Sequence, residues 1–137
     1  MKHYILWPKD VPRNVYLFRR MDSSSRRLVL KDRYKDLACQ TCGKIDERLA
    51  LERGLEDDVI FRFKTDLFCS FELLYILSQR AKGVLDSFPG VSVRYFPIPS
   101  CQEHFVVLPE RVYEPGKGRY TKDVCPSSTV TVFHRRV

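Results

Sequence analysis

Histidine is scarce in this chain: His3, His104 and His134 are the only three in 137 residues. A nucleophilic serine or cysteine needs a base beside it, so covalent catalysis would have to be built on one of these. Cys101 and His104 stand three apart. On a strand that spacing points the two side chains to opposite faces, so a dyad there requires an irregular loop, and no enzyme is expected. Glycine is sparse as well, with six residues. The one glycine-rich piece, Gly116-Lys117-Gly118-Arg119, lacks the glycine spacing, the Lys-Ser/Thr pair and the following helix of a phosphate loop. Long apolar runs are missing too. Tyr4-Ile5-Leu6-Trp7 is too short for a signal-peptide core and far below the length of about 20 residues that spans a bilayer, which predicts a cytoplasmic protein without a membrane partner. Repeats, low-complexity tracts and linkers are absent. With 44% apolar residues, the length predicts one domain over 1–137, either a whole protein or the N-terminal part of a longer chain.

Negative charge is under-represented, 17 acidic against 24 basic residues, leaving a net charge of +7. An acidic protein surface or a nucleic acid is the matching partner. Seven cations, Arg19, Arg20, Arg26, Arg27, Lys31, Arg33 and Lys35, fall in one segment with only Asp22 and Asp32 against them. This segment is a candidate partner or nucleic-acid surface, and equally a solvated hairpin connection. Tyr16, Phe18 and Tyr34 nearby could stack on bases or belong to the core.

The five cysteines are odd in number and irregular in spacing, which argues against a secreted disulfide framework. Cys39-x-x-Cys42-Gly43 is the sharpest local motif, because two thiolates three positions apart in a tight turn reach one tetrahedral zinc. Cys101-x-x-His104 has the chemistry of the second pair. Cys39, Cys42, Cys101 and His104 are therefore candidate ligands of one structural zinc, with Cys69 and Cys125 in reserve. Against this, 58 residues separate Cys42 from Cys101, a large loop for a fold to close. Two thiols beside a helix start are the alternative. A redox role would need a strand before the motif and a long helix after it, and Arg33 to Ala38 does not read as a buried strand.

The clearest structural signal runs from Leu73 to Pro99. Ala81, Val84, Leu85 and Phe88 lie on one helical face behind Ser78, a natural N-cap, and Pro89-Gly90 ends the helix. Val91 to Phe96 alternates like a strand. Leu73 to Leu77 reads as a strand buried on both faces, although Phe71, Leu74, Tyr75 and Ser78 also fit a helix running into the next one. Further strands are expected at His3 to Trp7, Val15 to Phe18, Leu28 to Leu30, Val59 to Phe63, His104 to Leu108 and Thr129 to Phe133. A short helix near 45–53 would end at Gly54, and Glu114 to Gly118 is a loop. The class is α+β, a mostly antiparallel sheet with one main helix at about 78–88 on a face.

The stretch from Leu73 to Pro99, through Ser78, Arg80, Ala81, Lys82, Leu85, Phe96, Pro97 and Ile98, resembles a pattern in immunity proteins of bacterial polymorphic toxin systems. Cys39-x-x-Cys42-Gly43 is similar to an element that small myxobacterial-type proteins carry twice; it occurs here once. The resemblance implies a non-catalytic module that binds and neutralises a cognate toxin. Inhibitors of nucleases tend to be acidic, to match a cationic cleft, so a chain of charge +7 points to an acidic or non-nuclease target. The other reading is a zinc-supported nucleic-acid-binding domain using residues 19–35.

Overall fold

The computed structural model describes residues 15–62, 65–110, 120–124 and 131–135, the last two segments through their backbone. The expected strand His3 to Trp7, Phe63, Cys125 and the loop Glu114 to Gly118 lie outside the described residues. The fold is α+β. Strands β1 (Arg19–Asp22) and β2 (Arg27–Leu30) form a hairpin, followed by a 3-10 helix at Asp32–Leu37 and helix α1 (Glu47–Arg53). Strands β3 (Leu67–Cys69), β4 (Tyr75–Ser78), β5 (Val93–Pro97) and β6 (His104–Pro109) make a four-stranded sheet in the order β3-β4-β6-β5, every neighbouring pair antiparallel. Helix α2 (Gln79–Asp86) carries the chain from β4 to β5, and β7 (Tyr120–Val124) pairs with β8 (Thr131–Arg135) in a separate hairpin. Because β4 and β5 both run against β6, they are parallel to each other, and β6 is inserted between the two strands of a strand–helix–strand crossover.

Ser78 does two things at once. It is the last residue of β4, paired with His104, and it caps α2 by accepting the Ala81 N–H at 3.1 Å. The strand expected at Leu73 to Leu77 therefore starts and ends later. Leu73 belongs to the β3–β4 turn, with a φ of +63° and 75% of its surface exposed, because Ser70 draws the Leu74 N–H to its hydroxyl and donates its own N–H to the Leu74 carbonyl. That turn also excludes the helical reading of the segment. Helix α1 ends at Gly54 as expected, and its N-cap is Asp46. Asp46 accepts the Leu49 N–H at 3.1 Å, and Gly54 takes a φ of +96°.

Two expected strands are absent as ladders, and the reason is the same in both. Val15, Leu17 and Phe18 are buried as their pattern implies. Their backbone, however, is satisfied from elsewhere: the Glu72 carboxylate accepts the Leu17 and Phe18 N–H groups at 3.1 and 2.9 Å, Val15 takes the Phe71 N–H, and Phe18 takes the Lys31 N–H. Val59 is buried while its carbonyl accepts the Ser100 hydroxyl, and 59–62 runs without a strand partner. Buried apolar residues need their polar backbone paired, but not by a neighbouring strand.

The core joins these segments. Phe18, Tyr34, Phe68, Leu17, Ile76, Ile98, Val59 and Val106 are fully buried, and Phe18 meets Tyr34 edge-on at 5.2 Å between ring centres. The Tyr34 hydroxyl reaches past the core to donate to the Gly54 carbonyl at 2.8 Å, closing the end of α1 onto the 3-10 helix. Desolvation, with Glu56 nearby, pushes that phenol up to about 12. Glu72→Ala should cost about 2 kcal/mol, since two backbone N–H groups would lose a charged acceptor. It should lower the urea midpoint without changing the slope. An unaltered midpoint would show that water replaces the carboxylate freely.

Candidate functional site

The β1–β2 hairpin collects most of the predicted basic segment and divides it by function. Its register pairs Arg20 with Val29 and Asp22 with Arg27, so Arg20 and Arg27 share one face, while Arg19, Met21, Leu28 and Leu30 share the other. Leu30 packs on the core from the second face, while Met21 on that same face stays exposed, as do Arg20 and Arg27 on the first. The tip is held by Asp22, whose carboxylate accepts the Ser24 N–H and hydroxyl and the Ser25 hydroxyl at 2.8 to 3.0 Å. Those bonds, the Ser24 hydroxyl first, hold Asp22 down at about 2, so it stays ionised. Arg26 closes the turn with a φ of +52°.

Three of the seven cations are bonded within the chain, Lys31 in the core and Arg33 and Lys35 at the surface. Lys31 is 2% exposed and forms an ion pair with Asp58, so it is a structural residue and not part of the surface. Arg33 donates to the Arg53 carbonyl at 2.7 Å, and Arg53 returns a bond to the Arg33 carbonyl while gripping Asp36 with both guanidinium nitrogens. Lys35 pairs with Asp32. Arg20, Arg26 and Arg27 are exposed and, among the described residues, carry no ion pair. Arg19 is half-buried with its guanidinium 6.0 Å from the centre of the Phe71 ring. Beside them stand Met21 and Ile60, 54% and 70% exposed, on the rim of a depression of about 260 Å³ that Tyr16, Arg19, Arg20, Lys31 and Asp58 complete. Of the three aromatic residues near the segment, Phe18 and Tyr34 are core residues and unavailable for stacking.

A second recess lies along α2. The helix has no fully buried residue. It is tethered by polar contacts at both ends: Asp66 takes Arg80 and the Ser78 hydroxyl at the start, and Asp86 takes the Tyr95 hydroxyl of β5 at 2.7 Å at the end, while Lys82 and Asp86 pair within the helix at 2.8 Å. Between the tethers, Ala81, Val84, Leu85 and Phe88 face Leu67 and Leu77 across an open groove of about 450 Å³. The apolar stripe read from the sequence is real, but it packs incompletely, and Val84 and Phe88 remain 58% and 50% exposed. Leu67, Leu77 and Asp66 had no functional signal in the sequence; only the β3–β4 pairing places them opposite the helix.

The cysteine motif forms the tight turn its glycine implies. Cys39 donates its N–H to the Lys44 carbonyl at 2.7 Å and accepts the Gly43 N–H at 2.8 Å, with Gly43 at a φ of +70°. Cys101 and His104 are brought together on the loop entering β6, Sγ to Nδ1 at 3.3 Å. The two pairs are not gathered into one site: among the described residues no group of three or more His, Cys, Asp or Glu side chains is placed to hold a metal ion. Cys69 is buried, and burial pushes its thiol up. His134 lies on β8. No helix among the described residues is long and apolar enough to cross a membrane.

Compared with protein-family models, curated proteins and solved structures, the chain matches none.

Two outcomes follow from the division of the cations and from the α2 tether. Arg20→Ala, Arg26→Ala and Arg27→Ala should each leave stability within about 0.5 kcal/mol, whereas Lys31→Ala should cost about 1 to 3 kcal/mol through lost packing and a stranded Asp58. Urea melts of the four variants check this, and a stable Lys31→Ala protein would return Lys31 to the surface set. Asp66 is held below the usual carboxylate range, first by Arg80 and then by the Ser78 hydroxyl. A depressed carboxylate stabilises the fold above its unfolded value and loses that contribution as pH falls through the folded one. Asp66→Asn should thus melt earlier than the native chain at pH 7, and the two melting curves should converge as acidification passes through the lowered folded value of Asp66.

Proposed function

We propose that the chain is a non-catalytic protein-binding module of the immunity type, which neutralises a toxin by presenting the β1–β2 hairpin to an acidic surface. The observation that carries this reading is the composition of the surface around the hairpin: Arg20, Arg26 and Arg27 are exposed and, among the described residues, without ion pairs, and Met21 and Ile60 are exposed on the rim of the depression that Arg20 also lines. Exposed arginines next to large apolar side chains occur at protein interfaces, where guanidinium groups supply complementarity and apolar side chains supply desolvated anchors. A surface for the phosphate backbone would be expected to carry cations with fewer large apolar neighbours. The resemblance of the segment from Ser78 to Ile98 to immunity proteins supports the same reading, and those residues build the β4–α2–β5 scaffold rather than the surface. The partner is a protein with an acidic face, and its activity need not involve a polyanion.

Co-expression with the protein encoded next to it tests the reading. The expected result is co-purification and rescue of cells from the toxic neighbour, with Arg26→Glu/Arg27→Glu weakening the complex at least about tenfold and slowing association more than dissociation, as rim charges do. Failure to rescue and failure to capture any acidic protein would sink the proposal. Binding to duplex DNA with a log–log salt slope near about −0.9 per phosphate, lost in the same double variant, would replace it with the nucleic-acid reading.

A further inference from the structure

Cys101 and His104 form a pair that the partner-binding reading does not use. The sequence places them three apart, which on a strand would separate them. The structure resolves this by starting β6 at His104 and putting Cys101 in the preceding turn, where the Cys101 carbonyl accepts the His104 N–H at 3.1 Å and the Cys101 N–H binds the Ile98 carbonyl at 3.0 Å. The turn folds the thiol back over the ring, Sγ to Nδ1 at 3.3 Å.

The other ring nitrogen decides the chemistry. His104 Nε2 lies 3.3 Å from the Thr65 carbonyl oxygen, a group that can only accept, so Nε2 carries the hydrogen. In a neutral imidazole Nδ1 is then the acceptor, and the hydrogen bond runs from the Cys101 thiol to it. The ring is 6% exposed and wedged edge-on against Phe61 at 5.0 Å, with Phe68 at 5.9 Å, so its orientation is fixed by packing as well as by the carbonyl. Thr65 also carries the one buried side-chain polar atom without a hydrogen-bond partner among the described residues, its Oγ1. Cys101 itself is only partly buried, on a loop whose neighbours Ser100 and Gln102 are exposed. A nucleophile, a base aimed at it and a third group orienting the base are thus present in one place.

We propose that Cys101 is a thiol-modification site of this chain, reacting by exchange with a low-molecular-weight disulfide. The Cys101 sulfur attacks one sulfur of R–S–S–R as its proton passes to His104 Nδ1. The S–S bond breaks, the departing thiolate takes that proton from His104, and the products are the mixed disulfide Cys101–S–S–R and R–SH. Cys101 is oxidised and the departing half of the disulfide is reduced, so no further oxidant is needed. His104 acts as the base and ends the step as it began.

The test is competition among thiols within the same intact chain. Protein is exposed briefly to oxidised glutathione, and the position of the adduct is read by peptide mass mapping at several times. Cys101 should be modified on the order of tenfold faster than Cys42, the exposed thiol at the Cys39 turn, and Cys69 should lag both. His104→Gln should slow Cys101 by a similar factor and leave the Cys42 rate unchanged, which serves as the check that the variant is folded. If His104→Gln unfolds, the order of modification in the native chain still decides. Earlier modification of Cys42, or a Cys101 rate indifferent to a folded His104→Gln, would overturn the proposal. So would purified protein carrying zinc that is lost on Cys101→Ser, because the thiol would then be a metal ligand and not a free nucleophile.

Discussion

The carboxylate of Glu72 takes the backbone N–H groups of Leu17 and Phe18 across 55 and 54 residues of sequence, and much of the architecture hangs on that bond. It sits in the turn between β3 and β4, and it replaces a neighbouring strand for a segment whose Val15, Leu17 and Phe18 side chains are in the core. Once 15–18 is pinned there, Phe18 meets Tyr34 and its carbonyl takes the Lys31 N–H at the end of the β1–β2 hairpin. The arrangement concentrates acid locally: Glu47 is pushed upward first by burial and then by the Glu72 charge, with Arg19 opposing. Arg19 is therefore partly occupied in balancing these carboxylates, which separates it from the outward-facing Arg20, Arg26 and Arg27.

Helix α2 shows the opposite economy. A helix of eight residues is too short to be stable alone, so it has to be held by its surroundings. Here the holding is done by charged and polar contacts at the two ends, Asp66 with Arg80 and Ser78, and Asp86 with the Tyr95 hydroxyl. Burial is left unfinished in the middle. The groove between Val84, Phe88 and the β3–β4 pair is the consequence.

The two surfaces and the Cys101–His104 pair occupy different parts of the fold and use different chemistry. The hairpin offers charge and a few exposed apolar residues, and it is rigid at its tip because Asp22 holds the turn. The Cys101 loop is anchored on either side, through Ser100 to the Val59 carbonyl and through the Glu103 carbonyl to the Gln79 N–H at the start of α2. A modification at Cys101 would therefore be made beside the tethered end of the helix.

Local patterns were enough for the α+β class, the Ser78 cap and the stripe of α2, the turn at Gly43, the end of α1 at Gly54 and the basic character of 19–35. All of these depend on residues within a few positions of one another, where hydrogen-bond geometry and periodicity leave little choice. The destinations of long-range bonds were not legible. Nothing near Leu17 announces Glu72, nothing near Lys31 announces Asp58, and a spacing of three between Cys101 and His104 means opposite faces or direct contact depending on where β6 begins. Those outcomes were decided by which backbone groups were left unpaired once the core had formed, and a linear pattern does not contain that information. The same holds for function. The sequence supplied seven cations; tertiary structure buried Lys31 against Asp58 and bonded Arg33 to the Arg53 carbonyl, Lys35 pairs locally with Asp32, and the hairpin arginines carry the charge a partner can meet.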